Sequence, residues 1–378
     1  MSGVTRLAQD LIRFNTVNPP GNEEPALRHL AAYLEANGVS SEFQQLAPNR
    51  GNLIARLPGS RPGHVVLCGH VDVVHPGASP WEHDPFRADI VDGRLIGRGA
   101  TDMKGGVAAM TQAVVELASD GFTPGADLIL TITCGEEVDM AGAKLLDASR
   151  ALEGAKFVVI GEPTGLDVFR AEKGVLWPRI TAFGRTAHGA MPHLGVNAIS
   201  FISRLIARLE AYPFPFEPND LLGQPTLSVN VIEGGVKTNV VADRCTVDVD
   251  MRLVPGQDKD EILSAIESIM SELKRDIPVR TEIEITQFAA PVQTAEDSVL
   301  VSAAIEAVRA GCGREPAVGG VSYATDGAQI APSLGADMII CGPGGVDQLH
   351  QPNEWVAINQ LAEAVEVYKS IAVKLLAA

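Results

Sequence analysis

Short apolar runs alternate with amphipathic segments along most of the chain. The runs at 64–71, 127–134, 157–160 and 337–341 are almost continuously apolar, which is typical of strands buried on both faces of a parallel sheet. Segments with apolar residues three and four apart separate these runs and predict helices. The predicted helices are an opening pair at about 7–12 and 24–37, followed by 105–119, 141–152, 298–310 and 359–376.

The middle of the chain has a different pattern, because apolar and polar residues alternate there with a period of two. Such alternation predicts half-buried antiparallel strands. The alternating runs are 175–183, 226–232, 245–253 and 279–285, with helical spacing at 196–211 and 258–275. This β-α-β-β-α-β order is that of a ferredoxin-like unit. We therefore predict an α/β fold: a mostly parallel sheet domain formed by 1–174 and 289–378, with an inserted ferredoxin-like α+β domain at 175–288.

Composition limits the classes of function. The 378 residues carry 30 Lys and Arg against 47 Asp and Glu, a formal charge of −17, which argues against nucleic acid or an anionic membrane as partner. The apolar runs fall short of the roughly 18 residues that a membrane span needs. The first 20 residues show no secretory pattern, so a cytoplasmic location is expected. Five cysteines without a CxxC spacing indicate reduced thiols.

Polar residues follow the ends of the buried runs. His70 ends VVLCGH, Glu136 follows LTITCG, Glu162 follows VVIG, and His350 comes after MIICGPGG. In an open parallel sheet the carboxyl ends of the strands share one crevice, so these side chains are expected to converge. Candidate residues of this kind also have ordinary explanations when each is taken alone. Asp102, which precedes a predicted helix, can cap that helix. A single histidine in a Gly/Pro-rich loop, such as His350, often has no function.

The residue types and spacings indicate metal chemistry. His70 and Asp72 are two apart, so an extended chain places both on one face, where an aspartate can accept the second ring N–H of the histidine and free the other nitrogen for a metal. Glu136 and Glu137 are adjacent, so their side chains diverge. One can ligate a metal while the other reaches a bound water, and a cation would relieve their mutual repulsion.

Two imidazoles and three carboxylates suffice for two ions if Asp102 and one water bridge them. Each ion then takes one imidazole, from His70 or His350, and one further carboxylate, from Glu162 or Glu137. That gives four ligands per ion, a number that suits zinc.

These residues lie in motifs that resemble a known family. The motifs CGHVDVV, GRGATDMKGG, TCGEEVDMAG, GEPTG, GRTAHGAMPHLGVNAI, EGGVKTNVVAD and GPGGVDQLHQPNEWV span about residues 68 to 356. They resemble, in type and order, the dinuclear zinc amidohydrolases and metallopeptidases that include acetylornithine deacetylase, succinyl-diaminopimelate desuccinylase, aminoacylase and glutamate carboxypeptidase.

The resemblance implies a role for each site residue. Asp72 orients His70, Glu136 is the general base and acid, and a cis peptide follows Asp102. The implied cofactor is two Zn²⁺ per chain, with Co²⁺ or Mn²⁺ as alternatives. The implied metal ligands are His70, Asp102, Glu137, Glu162 and His350.

The resemblance also assigns the inserted domain as a lid and dimerisation domain. His188 matches a histidine that reaches the partner's active site in dimeric members, so a homodimer is expected. Asn239 and Arg252 match positions that contact substrate, and Arg252 suits a substrate carboxylate. We place Asp326 with the substrate-contacting residues.

The resulting hypothesis is metal-dependent hydrolysis of a small N-acyl amino acid, in which Glu136 activates a water that bridges the metals. A dipeptidase or carboxypeptidase with the same chemistry is the first alternative. A succinyl-diaminopimelate desuccinylase is the second, although Lys173 and Ala328 stand where those enzymes carry arginine. A non-catalytic scaffold that retains the fold is the alternative from a different class.

Overall fold

The computed structural model describes residues 2–377. They form two compact units. The first consists of the chain up to Ala171, the segment Val292–Val321 and the chain from Thr325 onward, and the second consists of Glu172–Pro291 with Ser322–Ala324.

Within residues 2–377, helices and strands alternate along both units. The helices are α1 (Gly3–Ile12), α2 (Glu24–Ala36), α3 (Lys104–Ser119), α4 (Ala141–Ala148), α5 (Ala198–Ala211), α6 (Lys259–Leu273), α7 (Val299–Cys312), α8 (Gly327–Leu334) and α9 (Ile358–Leu376). The strands are β1 (Ser41–Ala47), β2 (Arg50–Leu57), β3 (Arg61–His70), β4 (Asp89–Val91), β5 (Arg94–Ile96), β6 (Ala126–Thr133), β7 (Ala155–Ile160), β8 (Val168–Glu172), β9 (Gly174–Phe183), β10 (Thr226–Gly234), β11 (Arg244–Leu253), β12 (Arg280–Ala289), β13 (Val292–Gln293), β14 (Val318–Val321), β15 (Asp337–Ile340) and β16 (Trp355–Ala357).

The first unit is built on one large sheet. Its strand order is β1-β2-β6-β3-β7-β15-β8-β13, and β14 pairs with β8. The central strands β6, β3, β7 and β15 run parallel, while β1, β2 and β8 add antiparallel pairings at the sides. The predicted α/β fold with a mostly parallel sheet is confirmed. The parallel strands are the four apolar runs identified in the sequence, so their carboxyl ends meet at one edge.

Helices α3 and α9 bury their apolar residues in the core of this unit. The apolar stripe of α9 packs as its spacing predicts, and the hydroxyl of Tyr368 donates to the main-chain oxygen of Cys341 at 2.9 Å. Helix α4 is shorter than predicted, because it ends at Ala148 and Arg150 adopts a left-handed conformation with φ 56°. None of the helices within residues 2–377 is both long and apolar enough to cross a membrane.

The second unit is an antiparallel sheet with helices α5 and α6. The strand order is β10-β11-β9-β12, and the elements follow one another as β-α-β-β-α-β. Along β11, buried and half-buried residues alternate. The buried residues of this strand share a core with Phe201 of α5 and Ile266 of α6, whereas residues such as Asp248 lie on the other face. The role of this unit as a lid remains a prediction.

Candidate metal centre

Four parallel strands bring the predicted ligands to one edge of the sheet. His70 is the last residue of β3, and the pair Glu136 and Glu137 comes three residues after β6. Glu162 follows β7 by two residues, and His350 lies in the loop after β15. These side chains lie close together because the residues that follow the carboxyl ends of neighbouring parallel strands lie at the same edge of the sheet.

Asp102 lies between the two imidazoles. Its Oδ1 is 3.3 Å from Nε2 of His70, and its Oδ2 is 3.3 Å from Nε2 of His350. Each imidazole has one further carboxylate close by: Oε1 of Glu162 is 3.2 Å from His70, and Oε2 of Glu137 is 3.1 Å from His350. The peptide bond between Asp102 and Met103 is cis, as the resemblance implies.

The donor set around His70 fits a cation. Its Nδ1 donates to the main-chain oxygen of Asp72 at 3.0 Å, so Nε2 carries the lone pair in the neutral ring. This buried nitrogen makes no hydrogen bond to a described residue, although two carboxylate oxygens lie within 3.3 Å. Ligand atoms of His70, Asp102 and Glu137 lie within 4.8 Å of one another, as do those of His70, Glu136 and Glu162. A divalent ion is the partner that such atoms share.

The titration of the site is dominated by burial and like charge. Burial and repulsion from Asp102 raise the pKa of Glu162 to about 7. Burial likewise raises the pKa of Glu136 well above its ordinary value, with repulsion from Glu162 adding to it. Hydrogen bonds that His350 donates to the carboxylates of Asp102 and Glu137 raise its pKa to about 10. Bound protons thus partly compensate the negative charge of this acidic cluster, as a bound cation would.

Asp72 orients the site through different atoms from those expected. Its main-chain oxygen, and not its carboxylate, accepts from His70; the nearer carboxylate oxygen is 3.6 Å from Nδ1. The carboxylate instead accepts from the backbone N–H groups of Gly135, Glu136 and Glu137 at 2.9, 3.2 and 3.2 Å. The expectation that the Asp72 carboxylate accepts from the His70 ring is therefore wrong. The tight turn after β6 points its N–H groups at that carboxylate instead.

Three supporting residues escaped the sequence analysis. The side chain of Asn18 donates to Asp72 at 2.9 Å. Glu354, which is buried, accepts from the side chain of Arg98 and from the backbone N–H of Asp102. Glu354 lies in the HQPNEW segment, but nothing in that segment identifies its carboxylate as buried. Asn18 lies in a turn sequence, NPPG, where an asparagine is commonplace.

Asp326 lies beside the metal-ligand cluster in the first unit. It is buried at the start of α8, where one carboxylate oxygen bonds to the hydroxyl of Thr133. Its other oxygen makes no hydrogen bond to a described residue. Burial raises the pKa of Asp326 to about 6.

The remaining predicted residues belong to the second unit. His188 is exposed, and its Nδ1 accepts from the backbone of Ala190 at 3.1 Å. The next residue, Gly189, donates its backbone N–H to Asn239 at 2.8 Å, so His188 and Asn239 lie on neighbouring segments. Arg252 is half-buried and pairs with both carboxylate oxygens of Asp250 at 2.8 and 3.1 Å.

Comparison with known proteins identifies the family. The profile of peptidase family M20/M25/M40 matches residues 66–374. This chain belongs to that family. The family expected from the motifs is therefore confirmed, and so is the expectation of a hydrolase with a metal-binding site.

Relatives with curated names cover nearly the whole chain. An acetylornithine deacetylase from Myxococcus xanthus is 34% identical over an alignment of 355 residues, and the match covers 91% of this chain and 90% of that protein. A probable succinyl-diaminopimelate desuccinylase from Staphylococcus aureus is 26% identical and covers 98% of this chain and 97% of its own length.

A solved structure with the same fold is an M20 family metallo-carboxypeptidase from Sulfolobus solfataricus. It has a TM-score of 0.81 and 20% identity, and the match covers 99% of each chain.

Proposed function

We propose that this chain hydrolyses the amide bond of N-acyl amino acids with two zinc ions bound. The observation that carries this proposal is the position of Asp102, one oxygen of which faces each imidazole. A bridging carboxylate with one imidazole and one further carboxylate on each side suits a pair of dications. The proposed ligands are His70, Asp102, Glu137, Glu162 and His350.

When bound, two dications lower the pKa of water and stabilise negative charge on an amide oxygen. Glu136 supplies the proton transfers. Its side chain is 11% exposed and belongs to the acidic cluster, and burial raises its pKa well above the ordinary value. A carboxylate with a raised pKa takes a proton from the attacking water and returns it to the leaving amine. Asp72 holds the backbone of Glu136 in place during both transfers.

The second unit provides the groups that recognise the substrate. The exposed imidazole of His188 is suited to donate to the amide oxygen as negative charge develops there. Arg252 is suited to bind the carboxylate of the amino acid, because its pair with Asp250 uses Nε and Nη2 while Nη1 lies outside that pair. Asn239 lies next to the His188 segment and adds a polar contact.

An N-acetyl amino acid is the preferred substrate class, since acetylornithine deacetylases are 31 to 34% identical to this chain. An N-succinyl amino acid is a less favourable substrate, because its second carboxylate needs a cation to bind it. Lys173, which stands where desuccinylases carry an arginine, donates its ammonium group to the main-chain oxygen of Gln224. That cation is therefore already engaged within the second unit.

A substrate panel tests this proposal. Purified protein with measured metal content is assayed on N-acetyl, N-succinyl, N-formyl and N-carbamoyl amino acids and on dipeptides. About two zinc ions per chain and fastest turnover of an N-acetyl amino acid are expected. Fastest turnover of dipeptides would identify a peptidase instead. If no zinc binds after zinc-replete expression and no substrate reacts, the chain is a scaffold. Full activity after complete chelation would also contradict the proposal.

We further propose a homodimer in which His188 serves the active site of the partner subunit. Mixing two inactive variants tests it. In a mixed dimer of Glu136→Gln and His188→Ala subunits, one site has both an intact base and an intact histidine. Activity is therefore expected to return on mixing. A fully active monomer, or a mixture that stays inactive although mixed dimers form, would contradict the arrangement.

A further inference from the structure

Glu354 is a fully buried carboxylate surrounded by donors. Its exposure is 0%. One oxygen accepts from Nη1 of Arg98 at 2.6 Å and from the backbone N–H of Gly99 at 3.0 Å. The other oxygen accepts from the backbone N–H groups of Thr101 and Asp102 at 2.8 and 3.0 Å. Four hydrogen bonds therefore satisfy both oxygens of the buried anion.

All four donors belong to the short loop between β5 and α3, which carries Asp102, and three of them are backbone N–H groups. Successive N–H groups that point at one place form a binding site for an anion. Here the anion is the side chain of Glu354. Because the backbone N–H of Asp102 is one of these donors, the carboxylate of Glu354 fixes the main chain from which the Asp102 side chain projects.

The same segment is also tied to the loop of His350. Glu354 lies four residues after His350, and its main-chain oxygen accepts from Gly97 at 2.9 Å. Strand β16 pairs with β5 immediately afterwards, with Trp355 opposite Ile96. The segment that follows His350 and the segment that precedes Asp102 thus form one hydrogen-bonded assembly, in which Glu354 supplies the central acceptor.

Arg98 completes this assembly. Its side chain is 2% exposed, and Nη1 donates to Glu354. Its Nε and Nη2 make no hydrogen bond to a described residue, and the guanidinium lies 5.4 Å from the centre of the Trp81 ring. Its only ion pair among the described residues is therefore with Glu354, where it neutralises the buried charge.

We propose that Glu354 is a positioning residue that sets the relative placement of Asp102 and His350, and through them the affinity of the metal centre. Arg98 acts with it by holding its carboxylate. This inference rests on the proposed function, since it assumes that Asp102 and His350 are metal ligands. It adds a determinant of affinity that contributes no ligand atom and acts through the backbone N–H of Asp102.

Zinc affinity is the property that tests the proposal. Glu354→Gln keeps the size of the side chain but leaves one acceptor oxygen, and its amide N–H groups face the backbone donors. Zinc dissociation constants of the folded protein are measured by competition with a chromophoric chelator. We expect Glu354→Gln to weaken zinc binding about 10- to 100-fold. Arg98→Lys, which keeps the charge, is expected to weaken it less.

A control separates positioning from general destabilisation. Leu34 is fully buried in the core on α2, a helix that carries none of the proposed metal ligands. Leu34→Ala is expected to lower the melting temperature of the metal-free protein and to keep the wild-type zinc affinity. The double variant Arg98→Lys/Glu354→Gln is expected to lose less affinity than the sum of the single changes, because both act through one contact.

The outcomes distinguish a failure of the proposed function from a failure of the inference about Glu354. If wild-type protein binds no zinc, the proposed function is wrong. If it binds zinc and Glu354→Gln binds equally well, Glu354 serves stability alone and the inference is overturned. The same follows if Leu34→Ala loses as much affinity as Glu354→Gln. If Glu354→Gln does not fold, Arg98→Lys carries the test, and wild-type affinity in that variant overturns the inference.

Discussion

The imidazole of His70 donates its Nδ1–H to the main-chain oxygen of Asp72, at 3.0 Å, and not to the Asp72 carboxylate. The carboxylate is thereby free to hold the turn that carries Glu136 and Glu137. One residue thus orients a proposed ligand through its backbone and the proposed base through its side chain. Removing the carboxylate should disturb the base while His70 keeps its partner.

Asp72→Asn is expected to reduce kcat about 10- to 100-fold and to destabilise the fold by about 1–3 kcal/mol. The asparagine amide has a single oxygen for the N–H groups of residues 135–137, and its own N–H groups face some of them. Steady-state kinetics and urea unfolding measure the two effects. Asp92→Asn, at an exposed turn in the same unit, is the control and should behave as wild type. Wild-type kcat in Asp72→Asn would contradict the role of its carboxylate.

Glu136→Gln tests the proposed base. It should lower kcat by about 10²- to 10⁴-fold, because a positioned proton-transfer group contributes that much, while zinc content stays at the wild-type value. Metal analysis and kinetics on the same preparation make the comparison. Glu153→Gln changes a glutamate that is 62% exposed and should leave kcat unaltered. Loss of zinc in Glu136→Gln would instead make this residue a ligand.

His188→Ala tests the contribution of the second unit. We expect kcat to fall about 10²- to 10³-fold, as when one donor to a developing oxyanion is removed, with zinc affinity unchanged. His193→Ala removes another exposed histidine from the same segment and serves as the matched control. Equal activity of the two variants would exclude a catalytic contribution from His188.

The metal-free protein should lose stability as the pH rises from about 5 to about 7. The folded state raises the pKa of Glu162 from 4.5 to about 7 and that of Asp326 from 3.8 to about 6, in both cases through burial. The folded state therefore binds more protons than the unfolded state in this range. Stability is fully present below the unfolded pKa values and is lost as these groups ionise in the folded protein.

Urea unfolding of chelator-treated protein at both pH values measures this effect. Bound zinc should reduce it, because dications stabilise the ionised ligand. Asp326→Asn should make the metal-free protein less sensitive to pH, since one of the buried carboxyl groups with a raised pKa is removed. A metal-free protein that becomes more stable between the two pH values would contradict the assignment.

The pattern of the chain was sufficient to predict much of the fold. Continuous apolar runs predicted β3, β6, β7 and β15, and period-two alternation predicted the strands of the second unit. The pattern did not reveal β1, which lies at the side of the large sheet and alternates poorly, or the short strands β4, β5 and β16. Three-residue strands contain too few positions for a period to show.

The sequence by itself determined which chemical groups follow the parallel strands, because a parallel sheet delivers its strand ends to one edge whatever the details of packing. Only the tertiary structure decided which atoms hold those groups in place. Arg98 and Glu354 are 256 residues apart, and the other donors to Glu354 are backbone N–H groups. Such groups occur at every residue except proline, so their direction is a property of the folded loop and leaves no mark in the sequence.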